Sequence, residues 1–384
     1  MLSKNVSPLI ALTANSCWNI VNFRSGLIEA LQSANCRVVV LAPQDAHSKK
    51  LVQRGIPLVS LRIDNKGQSP VRDLRLIAQY QRELLRIAPD AMLTFTVKPN
   101  IYGSLAAALL GIPTINNVSG LGTAFIAGGG LERLVSLLYR AALHRSSTVF
   151  FQNSDDRALF EARRIVTPRQ AMLINGSGVN LNHFKPRHKP ASKGGPTFLQ
   201  VGRLLWDKGV GEFIEAARIV RTQLPGARFQ LLGGMGADNR TAVAPPEVKR
   251  WVEGGIVEYL GEQNDVRPYL AAADCVVLAS YREGLPRSLI EAAAMGRPAI
   301  ATDVPGCRAA VDDGVTGYLC EVRSGQALAE AMLRFAALEP GTRAEIGRAA
   351  RQKAVREFDE RTVAGAYVEA LARAGVLNGL DEAG

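Results

Sequence analysis

Short apolar runs recur along the chain and alternate with longer stretches of helical periodicity. Clear examples of these runs are RVVVLAP, AMLTF, STVFFQN, TFLQVG, RFQLLG, CVVLAS and PAIAT. Continuous apolar runs of this length are typical of parallel strands that are covered on both faces, and the helical stretches supply the crossovers between them. The pattern occurs twice, once on each side of a break. It predicts an α/β protein with two domains, each built on a parallel sheet with crossover helices.

The break lies between Val179 and Thr197, where Pro, Lys, Ser and Gly crowd together and the hydrophobic periodicity stops. We therefore predict a first domain at residues 1–180, a linker at 181–197, a second domain at 198–355 and a C-terminal helix with its tail at 356–384. The chain has 384 residues, which is enough for two separate hydrophobic cores. The helix predicted from Arg356 to Gly375 either returns to the first domain or packs on its own domain.

The composition indicates a globular protein, because 47% of the residues are apolar and 21% are charged. The cysteines are scattered singly through apolar segments, without a C-x-x-C pair or metal-site spacing; they are Cys17, Cys36, Cys275, Cys307 and Cys320. This usage is typical of buried thiols in a reducing compartment, and no metal site is predicted. No apolar run is long enough to span a bilayer. We therefore expect a cytoplasmic location.

Positive charge is concentrated in the first half of the chain. Residues 1–190 carry 23 Lys and Arg against 10 Asp and Glu, whereas residues 191–384 carry 23 against 25. A basic first domain suggests an anionic partner, either a phospholipid surface or a pyrophosphate-linked acceptor. Nucleic acid is not predicted, because no zinc-finger spacing, RNA-binding aromatic string or helix-turn-helix pattern accompanies the charge. A solvated basic surface without a partner stays open as an alternative.

One stretch of the basic half could lie on a membrane. Leu131 to Arg145 is dominated by apolar positions and carries three arginines that can extend toward a basic edge. The loop before it contains Phe125 and Ile126, which could enter lipid. The alternative is an ordinary core helix. Membrane contact here would make the chain a peripheral protein on the inner face of the cytoplasmic membrane.

Two carboxylates, Glu283 and Glu291, lie across a predicted junction between a loop and a helix. Pro286 suits a first helical turn, and Gly284 lets the backbone approach a ligand closely. The amides at a helix start, together with the helix dipole, attract a phosphate. Glu283 can then accept hydrogen bonds from the hydroxyls of a sugar ring, while Glu291 can reach a ribose diol. Each carboxylate alone is more typical of a solvated side chain on a helix or loop. The prediction of a sugar-nucleotide site therefore depends on the whole segment around Glu283 and Glu291.

A second candidate for anion binding is VGRLLWDKGV, which spans Val201 to Val210 and follows an apolar run. It places Arg203 and Lys208 at the carboxyl end of a predicted strand, where α/β sheets bind ligands. A fixed guanidinium and ammonium can stabilise the charge that develops on a departing diphosphate. The alternative is a pair of surface charges that bracket a turn.

The string from Glu283 to Gly306 resembles the E-x7-E signature of family 4 of the retaining glycosyltransferases, and VGRLLWDKGV is similar to the phosphate motif of that family. The resemblance implies a GT-B fold, with two Rossmann-like domains facing a central cleft and a C-terminal helix that crosses back to the first domain. It implies that the second domain binds the donor through Gly202, Arg203, Lys208, Glu283, Gly284, Leu285, Pro286 and Glu291. Among these residues, Glu283, Arg203 and Lys208 are expected to be catalytic.

The first domain resembles the family more weakly, through TFTVKPNIYGSLAAALLGIPTINNVSGLG. Around KPN and SGLG it is similar to enzymes that act on undecaprenyl-diphosphate-linked sugars, such as N-acetylgalactosaminyltransferases of bacterial N-glycan or surface-polysaccharide assembly. This implies a lipid-linked acceptor, with Asn15, Lys98 and Ser119 as candidate contacts. Ser119 stands where many family members have histidine, so that histidine contact is not carried over. An alternative interpretation fits Lys98 equally well: an exposed lysine beside a helix start, without a ligand.

The resemblance therefore implies a hexosyltransferase that moves an N-acetylhexosamine or hexose from a UDP-sugar to a lipid-diphosphate-linked saccharide, with retention of the anomeric configuration. The chain has no D-x-D motif, so we expect a reaction that is independent of metal and needs no cofactor. A nucleotide-sugar epimerase of the same architecture and a non-catalytic sugar-nucleotide-binding protein remain alternatives. An NAD-dependent oxidoreductase is not predicted, because no G-x-G-x-x-G follows a strand.

Overall fold

The computed structural model describes residues 7–64, 69–121, 129–188, 194–235, 239 and 241–377. The chain divides into two compact units: unit 1 comprises Met1–Gly178 with Glu360–Gly384, and unit 2 comprises Val179–Asp359. Each unit is built on one parallel sheet with a hydrophobic cluster on each face. The prediction of two parallel-sheet α/β domains is confirmed.

The sheet of unit 1 has the strand order β3-β2-β1-β4-β5-β6-β7, and all its paired strands are parallel. The strands are β1 (Leu9–Thr13), β2 (Arg37–Ala42), β3 (Leu58–Ser60), β4 (Ala91–Phe95), β5 (Thr114–Val118), β6 (Thr148–Phe151) and β7 (Ala171–Leu173). Successive side chains alternate across the sheet, so Ile10 and Leu12 enter one cluster and Ala11 the other. The strand order reverses between β1 and β4, which makes their carboxyl ends the switch point of this sheet.

Helices cover both faces of this sheet. One layer contains α1 (Cys17–Phe23), α2 (Ser25–Ser33) and α3 (Ser48–Gln53), and the other contains α4 (Pro70–Ile87), α5 (Ser104–Leu109), α6 (Gly129–Leu143) and α7 (Ser154–Ala162). A π-helical turn, Pro99–Gly103, leads into α5. Polar residues at strand ends start two of these helices, because Ser16 Oγ accepts from the Asn19 amide at 3.2 Å and Asn153 Oδ1 accepts from the Asp156 amide at 2.8 Å.

Unit 2 repeats the architecture with the strand order β10-β9-β8-β11-β12-β13. The strands are β8 (Thr197–Val201), β9 (Arg228–Leu232), β10 (Glu258–Tyr259), β11 (Cys275–Leu278), β12 (Ala299–Thr302) and β13 (Gly317–Cys320). The helices are α8 (Val210–Gln223), α9 (Pro245–Glu253), α10 (Arg267–Ala272), α11 (Arg287–Ala294), α12 (Pro305–Ala310), α13 (Gly325–Ala336) and α14 (Pro340–Glu357). The strand order reverses between β8 and β11.

The division between the units falls close to the predicted break. Unit 2 begins at Val179, and Phe184, within the segment predicted as a linker, is buried in a hydrophobic cluster of unit 2. Its carbonyl also accepts a hydrogen bond from Arg351 Nη1 at 3.0 Å. The Pro and Gly content of this segment therefore marks irregular backbone, while its aromatic side chain still packs with the second unit.

The C-terminal helix α15 (Glu360–Arg373) belongs to unit 1, as the return to the first domain predicts. Val363, Tyr367 and Leu371 are buried in the cluster that also contains α2. Asn117 Nδ2 donates to the Tyr367 hydroxyl at 2.6 Å, and the Tyr367 ring packs 4.9 Å from that of Phe150. A buried hydrogen bond and an aromatic contact thus join the end of the chain to strands β5 and β6.

Charge is less unevenly divided between the two units than between the two halves of the sequence. Unit 1 carries 22 Lys and Arg against 14 Asp and Glu, and unit 2 carries 24 against 21. The five cysteines are all buried and free of disulfides. Among the described residues, no helix has both the length and the apolar character needed to cross a membrane.

Tyr367→Phe tests the attachment of α15. The change removes the hydroxyl that accepts from Asn117 and leaves a buried amide N–H without that partner. We expect the free energy of unfolding of unit 1 to fall by about 1–3 kcal/mol, measured by urea denaturation. The control is Tyr318→Phe in unit 2, because Tyr318 is also buried but its hydroxyl has no hydrogen-bond partner among the described residues. Equal losses of unfolding free energy in the two variants would contradict a stabilising role for the Asn117–Tyr367 hydrogen bond.

Candidate active site

The predicted donor residues of unit 2 meet at its switch point. Strands β8 and β11 are paired, so the loops that follow them leave the same edge of the sheet side by side. The first loop carries Gly202, Arg203 and Lys208, and the second carries Glu283. Open α/β sheets bind ligands at this position, outside the carboxyl ends of the strands.

Lys208 and Glu283 form an ion pair across these two loops. The Lys208 ammonium contacts Glu283 Oε1, which also accepts a hydrogen bond from Ser280 Oγ at 2.6 Å. The Glu283 side chain is only 11% exposed, while that of Lys208 is 28% exposed. The main-chain carbonyl of Lys208 accepts from Gln200 Nε2 at 2.8 Å. The sequence predicted both residues for this site, but it did not predict their direct contact.

Two glycines allow the main chain to pack closely around this ion pair: Gly209 between the two loops, and Gly306 of α12 against the Glu283 loop. Gly209 adopts φ +68° at the start of α8, where a Cβ would collide with the main-chain carbonyl of Ala279. A Cβ on Gly306 would collide with the carbonyls of Glu283 and Gly284. Any larger residue at either position must therefore displace the loop that holds Lys208 or Glu283.

A third contact between the loops involves Tyr281, which the sequence analysis missed. Its amide donates to the Asp207 carbonyl at 3.0 Å, and its hydroxyl donates to Glu212 Oε1 at 2.7 Å. The Arg323 guanidinium lies 4.7 Å from the centre of the Tyr281 ring. Burial raises the pKa of Tyr281 most, and the hydrogen bond to the Glu212 carboxylate raises it further, to about 12. The hydroxyl therefore stays protonated. Its position two residues before Glu283 was the only available signal in the sequence.

Helix α11 starts beside this loop. Pro286 lies one residue before the helix rather than in its first turn, and its carbonyl accepts from the amides of Leu289 and Ile290 at 3.1 and 3.3 Å. Gly284, Leu285 and Pro286 are buried, and Leu285 contributes to a hydrophobic cluster of unit 2. The first turn of α11 therefore has a fixed position next to Lys208 and Glu283.

Glu291 lies further along α11 and is 12% exposed. Its Oε1 accepts from Arg287 Nε at 2.7 Å. Burial raises the pKa of Glu291 above its ordinary value, although Arg287 opposes that effect. The sequence predicted the position of Glu291 but not the arginine that pairs with it.

Arg203 is exposed, and its side chain has no hydrogen bond or ion pair within the part of the chain that the structure describes. Gly202, just before it, adopts φ +150°, and its amide donates to the Leu232 carbonyl at 2.9 Å. The backbone is thus fixed next to a cationic side chain that is available to a ligand.

In unit 1 the three predicted acceptor-side residues follow neighbouring strands. Asn15 follows β1 and is partly buried, Lys98 follows β4, and Ser119 follows β5 and is exposed. Since β1, β4 and β5 are paired in this order, all three lie at the same edge of the sheet. The predicted lipid-contacting residues Phe125 and Ile126 lie outside the described residues.

Lys98 is engaged within unit 1. Its ammonium is 2.6 Å from Asp73 Oδ1, and Tyr102 donates its hydroxyl to Asp73 Oδ2 at 2.7 Å. Arg24, which the sequence left without a role, is 3% exposed and lies 4.1 Å above the Phe95 ring. Among the described residues, no group of His, Cys, Asp and Glu is arranged to hold a metal ion.

The chain is similar to two enzymes that act on lipid-linked sugars. It is 28% identical to the N,N'-diacetylbacillosaminyl-diphospho-undecaprenol alpha-1,3-N-acetylgalactosaminyltransferase of Campylobacter jejuni, over 91% of this chain and 95% of that protein. It is 24% identical to the UDP-Gal:alpha-D-GlcNAc-diphosphoundecaprenol alpha-1,3-galactosyltransferase of Escherichia coli, over 69% of this chain and 71% of that protein.

Two solved structures show the same fold across nearly the whole chain. HepE from Anabaena in complex with UDP and glucose matches with a TM-score of 0.75 and 20% identity, over 94% of this chain and 99% of that one. WaaG, a glycosyltransferase involved in lipopolysaccharide biosynthesis, matches with a TM-score of 0.71 and 17% identity, over 96% of this chain and 100% of that one. The fold is therefore GT-B, as predicted.

Both units also match family models. Residues 21–176 match the model described as "Glycosyl transferase 4-like domain", and residues 195–337 match the model described as "Glycosyl transferases group 1". Together the two matches cover most of the chain, and the second contains Arg203, Lys208, Glu283 and Glu291. The first unit is therefore of the glycosyltransferase 4-like type and the second of glycosyltransferase group 1, so the chain is a glycosyltransferase.

Proposed function

We propose that this glycosyltransferase moves a hexose or N-acetylhexosamine from a UDP-sugar to a saccharide carried on a lipid diphosphate, with retention of the anomeric configuration. The observation that carries the proposal is the Lys208–Glu283 pair, held at the switch point of unit 2 beside the start of α11. The substrate classes are supported by the names of the relatives, which include an undecaprenol-linked N-acetylgalactosaminyltransferase and a UDP-galactose-dependent enzyme.

The donor diphosphate would lie over the first turn of α11. The helix dipole and the Lys208 ammonium both favour an anion there, and the exposed Arg203 side chain supplies a second cation. Glu283 would accept hydrogen bonds from donor-sugar hydroxyls, and Glu291 would bind the ribose. Glu283 already binds Lys208, so the incoming diphosphate would share the ammonium with this carboxylate.

Catalysis would be mainly electrostatic and positional. As the bond between the sugar and the diphosphate breaks, negative charge grows on the leaving oxygen, where Lys208 and Arg203 stabilise it. The departing diphosphate then helps to take the acceptor hydroxyl proton on the same face of the sugar, which retains the configuration. Glu283 orients the donor and does not attack it. The chain has no D-x-D motif, and we propose a reaction that requires neither a metal nor a cofactor.

The acceptor is assigned to unit 1. Asn15, Lys98 and Ser119 remain candidate contacts, although the pairing of Lys98 with Asp73 means that an acceptor phosphate must compete for its ammonium. A lipid-linked acceptor requires the enzyme to work at a membrane surface. We therefore propose a peripheral position on the inner face of the cytoplasmic membrane, with N-acetylgalactosamine as the first donor sugar to examine because of the similarity to the Campylobacter enzyme.

A panel of UDP-, GDP- and ADP-sugars, with and without an undecaprenyl-diphosphate-linked saccharide and a chelator, tests this function. We expect sugar transfer from a UDP-sugar, and we expect this transfer to resist the chelator. The mass of the lipid product measures the transfer, and NMR of the new anomeric centre shows whether the configuration is retained.

Two substitutions test the site itself. Glu283→Gln should lower kcat roughly 100-fold while leaving UDP affinity nearly unchanged. Lys208→Ala should weaken UDP binding about 10-fold or more and lower turnover as well.

The matched controls are Lys249→Ala and Glu253→Gln, which alter an exposed Lys–Glu pair on α9 and should leave turnover unchanged. Sugar interconversion without an acceptor would instead identify an epimerase. Saturable UDP-sugar binding without turnover would identify a binding protein. Wild-type turnover in both the Lys208 and Glu283 variants would contradict the site.

Gly306→Ala tests the close packing of α12 against the Glu283 loop without altering any charged group. The new Cβ must displace the main chain at Glu283 and Gly284, and a shift of this size in a catalytic site costs roughly 100-fold in kcat. Gly341→Ala is the control, because a Cβ there meets nothing within 4 Å. The measurement is kcat for both variants. Full activity of the Gly306 variant would show that turnover does not depend on the close contact of residue 306 with the main chain at Glu283 and Gly284.

Glu291→Gln separates stability from ribose binding. Because the pKa of Glu291 is raised in the folded chain, the wild type gains a proton on folding, and hence stability, as the pH falls toward the ordinary glutamate value of 4.5. The unfolding free energy of the variant minus that of the wild type should therefore be largest at pH 8 and decrease toward pH 5. Urea denaturation at several pH values measures this difference, while UDP affinity should fall. A difference that grows on acidification would contradict the burial of this carboxylate.

A further inference from the structure

One helical layer of unit 1 exposes a row of leucines. Helices α4, α5 and α6 lie side by side on one face of the sheet, and their inner residues share a single hydrophobic cluster. Their outer surfaces leave five leucines at least 55% exposed: Leu74, Leu85, Leu109, Leu134 and Leu137. In the opposite layer of α1–α3 and α15, the large hydrophobic residues exposed among those described are Trp18 and Val52. Apolar exposure is thus concentrated on one side of the unit.

Arginines are interspersed with these leucines. The exposed arginines of the layer are Arg72, Arg75, Arg82 and Arg86 on α4, with Arg133 and Arg140 on α6. Arg75, Arg133 and Arg140 have no acidic partner among the described residues. On α6 the exposed positions Arg133, Leu134, Leu137 and Arg140 follow helical spacing, so one stripe of this helix combines both kinds of side chain.

The acidic residues of the same three helices do not offset these free arginines. They are Asp73, Glu83 and Glu132, and each is already in an ion pair with Lys98, with Arg82 and Arg86, or with Arg163. Their side chains are at most 19% exposed. The outer face of α4, α5 and α6 therefore presents positive charge and apolar surface to its surroundings, while the acidic side chains of these three helices are neutralised within unit 1.

Two adjoining depressions border the stripe of α6. The larger, of about 540 Å³, is lined by Arg133, by Arg140 and by Arg163 with its ion-pair partner Glu132. The smaller, of about 380 Å³, is lined by Arg140, His144, Arg164 and Glu161, and Glu161 is paired with Arg157. Arg140 and Ile165 line both depressions. Guanidinium groups around a concave surface suit phosphate oxygens, which accept several hydrogen bonds at once.

We propose that the outer face of α4, α5 and α6 docks on an anionic phospholipid bilayer, with the leucines entering the interface and the arginines binding lipid phosphates. The proposal rests on the proposed function only in that a lipid-linked acceptor brings the enzyme to a membrane. An amphipathic surface with arginine beside leucine binds in the plane of such an interface, and its strength depends on buried apolar area and on lipid charge.

The apolar residues distinguish a bilayer from a nucleic acid as the occupant. Proteins that bind single-stranded nucleic acids combine basic residues with aromatic side chains on which bases stack. The exposed apolar residues here are leucines, and the aromatic residues of these three helices, Tyr80 and Tyr139, are buried. Branched aliphatic side chains partition into lipid but offer no face for stacking.

Flotation of the full chain with vesicles tests the proposal. We expect binding to vesicles of phosphatidylglycerol and phosphatidylcholine, little binding to phosphatidylcholine alone, and weaker binding at high salt. The double variant Arg133→Gln/Arg140→Gln should lower the partition coefficient roughly 30-fold, because each arginine near an anionic surface contributes about fivefold. The double variant Leu134→Ser/Leu137→Ser should also lose binding, with its salt dependence unchanged.

The matched control lies on the opposite layer of the same unit. Lys49→Gln/Lys50→Gln on α3 removes the same charge, and Val52→Ser removes an exposed apolar side chain. We expect all three control substitutions to leave vesicle binding near the wild-type level. Equal loss in the control and in the α6 variants, or wild-type binding by the α6 variants, would overturn the proposal. Tighter binding to single-stranded RNA than to the vesicles would overturn it as well.

Transfer to a water-soluble acceptor with a shortened lipid separates this proposal from the proposed function. The α6 variants should keep wild-type kcat on that acceptor and lose activity only on the long-chain acceptor in vesicles. Loss on both acceptors would place α6 in the catalytic machinery and overturn the docking role. Inactivity of the wild type on every acceptor, with vesicle binding intact, would contradict the proposed function alone.

Discussion

The ion pair between Lys208 and Glu283 is the interaction on which the site in unit 2 depends. A carboxylate with so little exposure needs a partner, and the ammonium reaches it only because β8 and β11 are adjacent in the sheet. Gly209 and Gly306 then permit main-chain contacts that no larger residue would allow. The geometry is therefore fixed before a ligand arrives, which is what electrostatic catalysis requires.

The two units share one architecture but place different side chains at their switch points. Both have a parallel sheet with a switch point, but unit 2 places an ion pair and a helix start there, whereas unit 1 has buried polar residues beneath the corresponding strand ends. Asn116 Nδ2, for example, donates to Thr94 Oγ1 and to Ser104 Oγ at 2.6 Å each. A buried network of this kind favours rigidity, and the proposed acceptor contacts Asn15 and Ser119 lie beyond it, in the loops that follow β1 and β5.

The sequence predicted the features that depend on local patterns. Continuous apolar runs identified the strands, and the string around Glu283, Gly284 and Glu291 identified a helix start, which lies at the switch point of unit 2. Contacts between residues far apart in the chain left no local signal: Tyr281 and Glu212 are 69 residues apart, and Lys98 is 25 residues from Asp73. The burial of Arg24 above the Phe95 ring also left no local signal, because it joins the junction of α1 and α2 to strand β4, about 70 residues along the chain.

The most direct test of the account is a crystal structure of the chain with UDP. We expect the diphosphate to lie over the first turn of α11 within hydrogen-bonding distance of Lys208, with the ribose hydroxyls at Glu291. We also expect Glu283 to stay within reach of the sugar position without contacting the diphosphate. A diphosphate bound elsewhere on unit 2, or a bound UDP that leaves the Lys208–Glu283 pair untouched, would contradict the central claim.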